Sequence, residues 1–126
     1  MIKVLIILQF CMVELFALHW LSYAEALDMQ QKNSKIIMID VVRTHCKYCI
    51  KMDKDVFEDE KFSHWIEERF LPVKINLDKQ QLPFEIEVKM TPSFYFFDSG
   101  KNLIKMIPGS WNISDFKDLT KNIKGE

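Results

Sequence analysis

Two cysteines separated by two residues, Cys46 and Cys49, are the residues of this chain best suited to chemistry. Such a pair can switch between dithiol and disulfide, and the thiolate of one cysteine attacks a partner disulfide. The pair follows a β-branched run, residues 36–42, and opens a segment with helical spacing of apolar residues. Unpaired N–H groups and the dipole at a helix start favour a thiolate. The spacing therefore predicts a reactive thiol at Cys46 and a more buried thiol one turn later at Cys49.

The residues beside the first cysteine bear on its reactivity. Lys47 puts a cation next to Cys46, and the imidazolium form of His45 would favour the thiolate in the same way. Tyr48 completes the dipeptide between the cysteines. Because thiolate stability sets the redox poise of such pairs, these neighbours tune it. We expect His45, Lys47 and Tyr48 to lie on the surface that meets a substrate.

Other uses of a cysteine pair fit this sequence less well. A structural zinc site needs four ligands. Apart from Cys11 near the N-terminus, the pair has only His45 beside it as a further ligand, so no metal site is predicted. Haem attachment needs a histidine after the second cysteine, where Ile50 stands. A bridge that closes so short a loop constrains little of the unfolded chain. No cofactor is predicted, and a thiol-based metal carrier remains an alternative.

The N-terminus has the pattern of a secretory signal. Lys3 supplies a positive start, and residues 4–13 form an apolar run. The run is shorter than the ~18 residues that span a bilayer, and Glu14 interrupts it. An uncleaved membrane anchor and a buried N-terminal helix are the alternatives. The pattern predicts a periplasmic or otherwise extracytoplasmic protein.

The predicted signal ends at a small residue. Ala17 fits a cleavage point, and so does Ala26, but the first helix of the domain is predicted to begin at about residue 23. We therefore assign residues 1–17 to the signal and residues 18–126 to a single domain. Removal of the signal would leave the Cys-x-x-Cys pair as the only cysteines.

The rest of the chain alternates helical and strand patterns and then ends in a hairpin and a helix. Predicted helices cover about residues 23–34, 46–56, 59–70 and 113–123, and predicted strands cover residues 36–42, 71–78, 93–97 and 102–107. The segment with Pro83, residues 80–88, is predicted to be a short helix or irregular. This order predicts an α/β fold with a central mixed sheet of about four strands and helices on both faces.

From about residue 22 to residue 123 the chain resembles the thioredoxin superfamily. Asp40 stands six residues before the first cysteine, where the resemblance implies a buried acid that helps to move the proton of the second. Lys74, on the second strand, is placed to pair with Asp40. Thr91-Pro92 precedes the aromatic third strand and matches the cis-proline loop of the family, whose backbone pairs with a bound substrate segment. The resemblance thus implies a thioredoxin-like fold.

The resemblance implies a thiol–disulfide oxidoreductase that acts on protein thiols or disulfides. Exported members look most similar, and they imply a possible electron donor in the membrane. The direction stays open because the Lys-Tyr dipeptide and His45 depart from the family pattern, while Thr91 favours reduction or isomerisation. A non-catalytic binding module with the same fold is the alternative function.

Charge limits the range of partners. Lys and Arg together number 17 against 18 Asp and Glu, which gives a net charge of −1. A nucleic-acid-binding domain is expected to carry a strong basic excess. We therefore predict no nucleic-acid partner. As a separate expectation, the domain acts as a monomer.

Overall fold

The structure of the protein, a computed structural model, describes residues 17–124. Nearly all of the predicted signal, residues 1–16, lies outside the described residues, so the signal stays a prediction. In the part that is described, none of the helices combines the length and apolar character needed to cross a membrane.

Four helices and four strands make up the described domain. The helices are α1 (Tyr23–Asn33), α2 (Lys47–Met52), α3 (Glu60–Arg69) and α4 (Ile113–Thr120), and a π-helical turn (Asp53–Phe57) continues α2. The strands are β1 (Ile36–Val42), β2 (Phe70–Asn76), β3 (Ser93–Phe97) and β4 (Leu103–Pro108). Their order in the sheet is β2-β1-β3-β4. Strand β1 runs parallel to β2 and antiparallel to β3, which confirms the predicted mixed sheet.

Strand β1 lies in the middle of the sheet because its sequence suits burial on both faces. All seven of its residues are buried, as expected for a β-branched run between two neighbouring strands. Side chains alternate between the two faces, so Met38 and Asp40 point to one face and Ile39 points to the other. In the register of the sheet, Asp40 is the partner of Lys74 on β2 and of Phe94 on β3.

Each face of the sheet has its own apolar core. The core on the Asp40 face joins β1 to the α2 side through Met52 and contains the T-shaped ring contacts of Phe116 with Phe57 and Phe94. The core on the opposite face lies under α1, through Ala26. Because α2 carries Cys49, the redox pair and Asp40 share one side of the sheet.

The predicted second helical segment is interrupted where the structure forms the π-helical turn. The backbone N–H of Glu58 donates to the carbonyl of Asp53 at 2.9 Å, which is the i→i+5 bond of a wider turn. This turn buries the adjacent side chains Val56 and Phe57 together. The sequence predicted an ordinary helix to residue 56, because helical periodicity does not separate the two geometries.

Two further segments differ from regular helices. Residues 18–21 lie outside any helix, and the backbone N–H of Leu21 donates to the Pro72 carbonyl at 2.8 Å beside the outer edge of β2. Helix α1 begins after them because Ser22 forms a capping box with Glu25. Residues 80–88 form no regular element, which agrees with the irregular alternative. Its partly buried residues alternate along the segment and pack on the α1-side core: Leu82, Phe84, Ile86 and Val88.

Candidate active site

The two cysteines form a disulfide at the start of α2. Cys46 is the N-cap residue, with extended backbone, and its Sγ accepts a hydrogen bond from the backbone N–H of Cys49 at 3.2 Å. Cys46 is partly exposed, whereas Cys49 is 4% exposed. The strand, loop and helix start that the sequence predicted around the pair are confirmed. The arrangement leaves one sulfur open to a partner and keeps the other inside.

The Thr91-Pro92 loop lies against the outer sulfur. The Thr91 hydroxyl donates to Cys46 Sγ at 3.4 Å, and the Thr91 carbonyl oxygen lies 3.6 Å from the same sulfur. The peptide bond before Pro92 is cis, as the sequence predicted. The Pro92 carbonyl accepts from the backbone N–H of Gly109 at 2.8 Å, and Gly109 has a φ of 89°, which favours glycine. The loop is therefore joined to both the redox pair and the end of β4.

The residues predicted to meet a substrate form an exposed rim, which we define as His45, Lys47 and Tyr48. His45 has a positive φ of 58°, and Tyr48 is 59% exposed. No residue of the rim makes a hydrogen bond or ion pair with either sulfur within residues 17–124. Ile50, which the sequence analysis did not assign to the site, is also exposed. The roles of the rim residues remain predictions.

Asp40 is a buried acid without a hydrogen-bond partner for one of its oxygens. The residue is 1% exposed. Among the buried side-chain oxygens and nitrogens of residues 17–124, its Oδ1 is the one without a hydrogen-bond partner. Burial raises the pKa of Asp40 to about 8, although the positive charge of Lys74 lowers it and the negative charge of Asp53 raises it further. Such a carboxyl exchanges a proton near neutral pH.

Lys74 does not form the predicted ion pair with Asp40. Its ammonium instead lies 2.6 Å from Asp53 Oδ1 and 4.4 Å from the ring centroid of Trp20. The parallel register makes Lys74 the neighbour of Asp40, but the π-helical turn brings a second carboxylate within reach of the more exposed end of the lysine. Asp53 was not assigned to the site from sequence, because an acidic residue in a stretch rich in acids is ordinarily on a solvated helix face.

Within residues 17–124 the structure contains no cluster of three or more His, Cys, Asp or Glu side chains that could hold a metal ion. The candidate site brings together a cysteine pair, a buried carboxyl on the same side of the sheet and a loop beside the outer sulfur. Together they can exchange a disulfide and move a proton.

Comparisons with known proteins agree with this geometry. A family profile described as a thioredoxin-like domain matches residues 23–124. Human thioredoxin is 37% identical over 84 residues, which cover 65% of this chain and 73% of that protein. The disulfide bond reductase DsbH of Chlamydia pneumoniae is 27% identical over 103 residues, which cover 71% of this chain and 62% of that protein. This chain spans from 8% to 73% of the length of the curated relatives it matches.

A solved structure gives the same fold. The thioredoxin of Thermus thermophilus superimposes with a TM-score of 0.66 at 24% identity, over 84% of this chain and 86% of that one. The family profile covers most of the domain and includes the disulfide at the start of α2. The chain therefore belongs to the thioredoxin-like family, and it is a thioredoxin-fold disulfide oxidoreductase whose cysteine pair is Cys46 and Cys49.

Proposed function

We propose that this protein exchanges disulfides with protein substrates and works in the reducing or isomerising direction. The observation that carries the proposal is the asymmetry of the pair, since the Cys46 sulfur is partly exposed and Cys49 is buried. An exposed thiolate can attack a partner disulfide, and a buried thiol can wait one turn away to resolve the intermediate.

The reaction has two exchange steps. The thiolate of reduced Cys46 attacks one sulfur of a substrate disulfide, forms a mixed disulfide and releases the other substrate sulfur as a thiolate. Cys49 then loses its proton and attacks the Cys46 sulfur, which releases the second substrate thiolate. The substrate gains two electrons, and the enzyme is left with the Cys46–Cys49 disulfide, the state described here.

Asp40 is the proposed acceptor of the Cys49 proton. Both residues are buried on the side of the sheet that faces α2, and Asp40 Oδ1 has no hydrogen-bond partner within residues 17–124. A base works best when its pKa lies near the working pH, and burial raises the pKa of Asp40 to about 8. Lys74 is proposed to assist without an ion pair to Asp40, because its positive charge lowers the pKa of that carboxyl.

The Thr91-Pro92 loop is the proposed docking site for the substrate chain. Its contact with the Cys46 sulfur would hold a bound segment beside the atom that is attacked. The exposed rim residues Lys47, Tyr48 and His45 would contact the flanks of that segment. Thr91 and the similarity to a relative named as a disulfide bond reductase support the reducing direction.

The proposed location is the periplasm or another extracytoplasmic space, with residues 1–17 cleaved as a signal. The packing of the domain supports a cut after Ala17 over one after Ala26. Ala26 is fully buried inside α1, and a cut there would remove Leu18, which is buried in the core. Mass spectrometry of the exported protein should therefore find Leu18 as its first residue. A mature chain that retains residues 1–17 would indicate the membrane-anchored alternative.

The partners proposed are protein thiols or disulfides and an electron donor in the membrane. A reducing enzyme outside the cytoplasm must be reduced again after each turnover, and the described residues contain no second redox centre for that purpose. The domain is proposed to act as a monomer, which sedimentation measurements would test.

Cysteine substitutions test the proposed reaction. Cys46→Ser should abolish reduction of insulin disulfides, because it removes the attacking sulfur. Cys49→Ser should instead accumulate mixed disulfides through Cys46, visible as adducts that dithiothreitol removes. Each variant is the control for the other, since both lose the intramolecular disulfide. Full insulin reduction by Cys46→Ser would overturn the reaction.

The reduction potential of the pair separates the direction of catalysis from the non-catalytic alternative. A value near ~−270 mV, as in thioredoxin, would support a reductant, whereas a value near ~−120 mV would support an oxidant. A pair that never cycles in glutathione or dithiothreitol buffers would favour a binding module. Stoichiometric metal in the reduced protein would favour a metal carrier.

A further inference from the structure

Asp53 has a contact that the proposed chemistry does not use. It is the first residue of the π-helical turn after α2, and its carboxylate lies 2.6 Å from the ammonium of Lys74 on β2. The same ammonium lies over the ring of Trp20, 4.4 Å from its centroid. Trp20 in turn packs edge-on against Phe57 at the other end of the turn, with ring centroids 5.1 Å apart. Lys74 is thus held on two sides.

The contact keeps Lys74 from the carboxyl beside it. Lys74 and Asp40 are register partners on adjacent strands, and both point to the face of the sheet that α2 covers. Even so, they form no ion pair or hydrogen bond, and Asp40 Oδ1 stays unpaired within residues 17–124. A lysine next to a buried acid would ordinarily pair with it, because the alternative leaves a buried polar atom unsatisfied.

We propose that Asp53 is a positioning residue that holds Lys74 against Trp20 and so keeps Asp40 free to carry the proton of Cys49. This inference rests on the proposed function and adds the regulation of its proton acceptor. If Asp40 paired directly with Lys74, it would be fixed as a carboxylate and would be a weak base. With Lys74 on Asp53, Asp40 can gain and lose a proton in each cycle.

The charge that acts on Asp40 comes from Lys74 and Asp53, as its other neighbours indicate. From β3 the register neighbour is Phe94, which is neutral, and from α2 the buried residues are Cys49 and Met52. The charges that act on Asp40 are those of Lys74 and Asp53, which oppose each other.

An open cleft connects the Asp53–Lys74 pair with solvent. The cleft has a volume of about 210 Å³, and Trp20, Asp53, Glu58 and Lys74 lie in its wall. Solvent can therefore reach the pair without entering the apolar core. Because the Asp53 side chain lies at the solvent-exposed end of the contact, its substitution should disturb the fold little.

The test is a titration of Asp40 in the oxidised protein by carbon NMR of the side-chain carboxyls, with Asp40→Asn used to assign the signal. Asp53→Asn should release Lys74 toward Asp40 and lower the midpoint of Asp40 by about one pH unit or more. Asp55→Asn is the matched control. It changes an exposed acid of the same turn whose partner is Lys51, at 2.7 Å, and it should leave the midpoint in place.

A second variant separates the movement of the lysine from the loss of a nearby negative charge. In a Lys74→Met background no ammonium can move, so Asp53→Asn should shift the Asp40 midpoint by less than half as much. Equal shifts in both backgrounds, or no shift in the native background, would overturn the inference. The titration needs no turnover, so it can fail while Cys46→Ser still abolishes insulin reduction. Conversely, an active Cys46→Ser would refute the proposed function without touching the titration.

Discussion

The charged side chains beside Cys46 are exposed to water. Asp40 is buried, and the charged residues near it, Asp53 and Lys74, are partly buried. Lys47 and His45 on the rim are exposed. Asp40 is 1% exposed, and its pKa responds strongly to burial and to two neighbouring charges. Water screens the rim charges, while burial amplifies those inside. From this comparison we expect charge to matter more for the proposed proton transfer at Asp40 than for the proposed substrate contact at the rim.

The largest expected effect comes from removing the interior acid. Asp40→Asn should slow the second exchange step by about 100-fold or more, because general base catalysis typically contributes about 10²- to 10⁴-fold. The measurement is the rate at which a mixed disulfide between Cys46 and a small peptide thiol resolves. The first step, measured as the burst of released peptide, should stay nearly unchanged. Equal slowing of both steps would mean that Asp40 acts only through the structure of the site.

The same substitution should change how stability depends on pH. The folded pKa of Asp40 is about 8 against an ordinary value of 3.8, so between these values the folded state keeps a proton that the unfolded state loses. Stability therefore falls as pH rises through this window, by up to ~1.4 kcal/mol per pH unit. Asp40→Asn should remove this part of the slope and be the more stable protein at pH 9. Urea unfolding of the oxidised proteins at pH 5, 7 and 9 measures it, and parallel stability curves would contradict it.

A smaller effect is expected where the Thr91-Pro92 loop meets the Cys46 sulfur. Thr91→Val keeps the shape of the side chain but removes the hydroxyl that donates to the Cys46 sulfur. Because a hydrogen bond contributes about 0.5–1.5 kcal/mol, less thiolate should form and iodoacetamide should alkylate Cys46 about two- to tenfold more slowly at pH 6.5. Thr91→Ser, which keeps the hydroxyl, is the control and should react nearly as fast as the native protein.

The smallest effect should come from the rim charge itself. Lys47→Gln should slow the alkylation of Cys46 by less than about twofold at low salt, and the difference should vanish in about 1 M salt. Lys51→Gln, one turn further along α2, is the matched control. A large effect of Lys47→Gln that survives high salt would mean that this cation acts on Cys46 as strongly as a buried charge, which would contradict the expected screening by water.

The fold could be predicted from the sequence almost element by element, and the site only in part. The run of residues 36–42 was assigned to a strand with its observed bounds, because β-branched residues buried on both faces leave few alternatives. The position of Cys46 at a helix start followed from the spacing of the residues, and the Thr91-Pro92 loop followed from the family resemblance. The partner of Lys74 was predicted wrongly, because its choice depends on a π-helical turn that helical periodicity does not reveal.

The segment just after the predicted signal has a consequence for the timing of maturation. Leu18 is buried, its backbone N–H donates to the Phe57 carbonyl at 3.3 Å, and Leu21 adds a bridge to β2 three residues later. A peptidase needs an extended and accessible chain on both sides of the bond it cuts. If cleavage follows Ala17, the residues after the bond are available only before they dock beside β2. Processing would then have to precede the last step of folding, so a mutant that folds faster would be cleaved less completely.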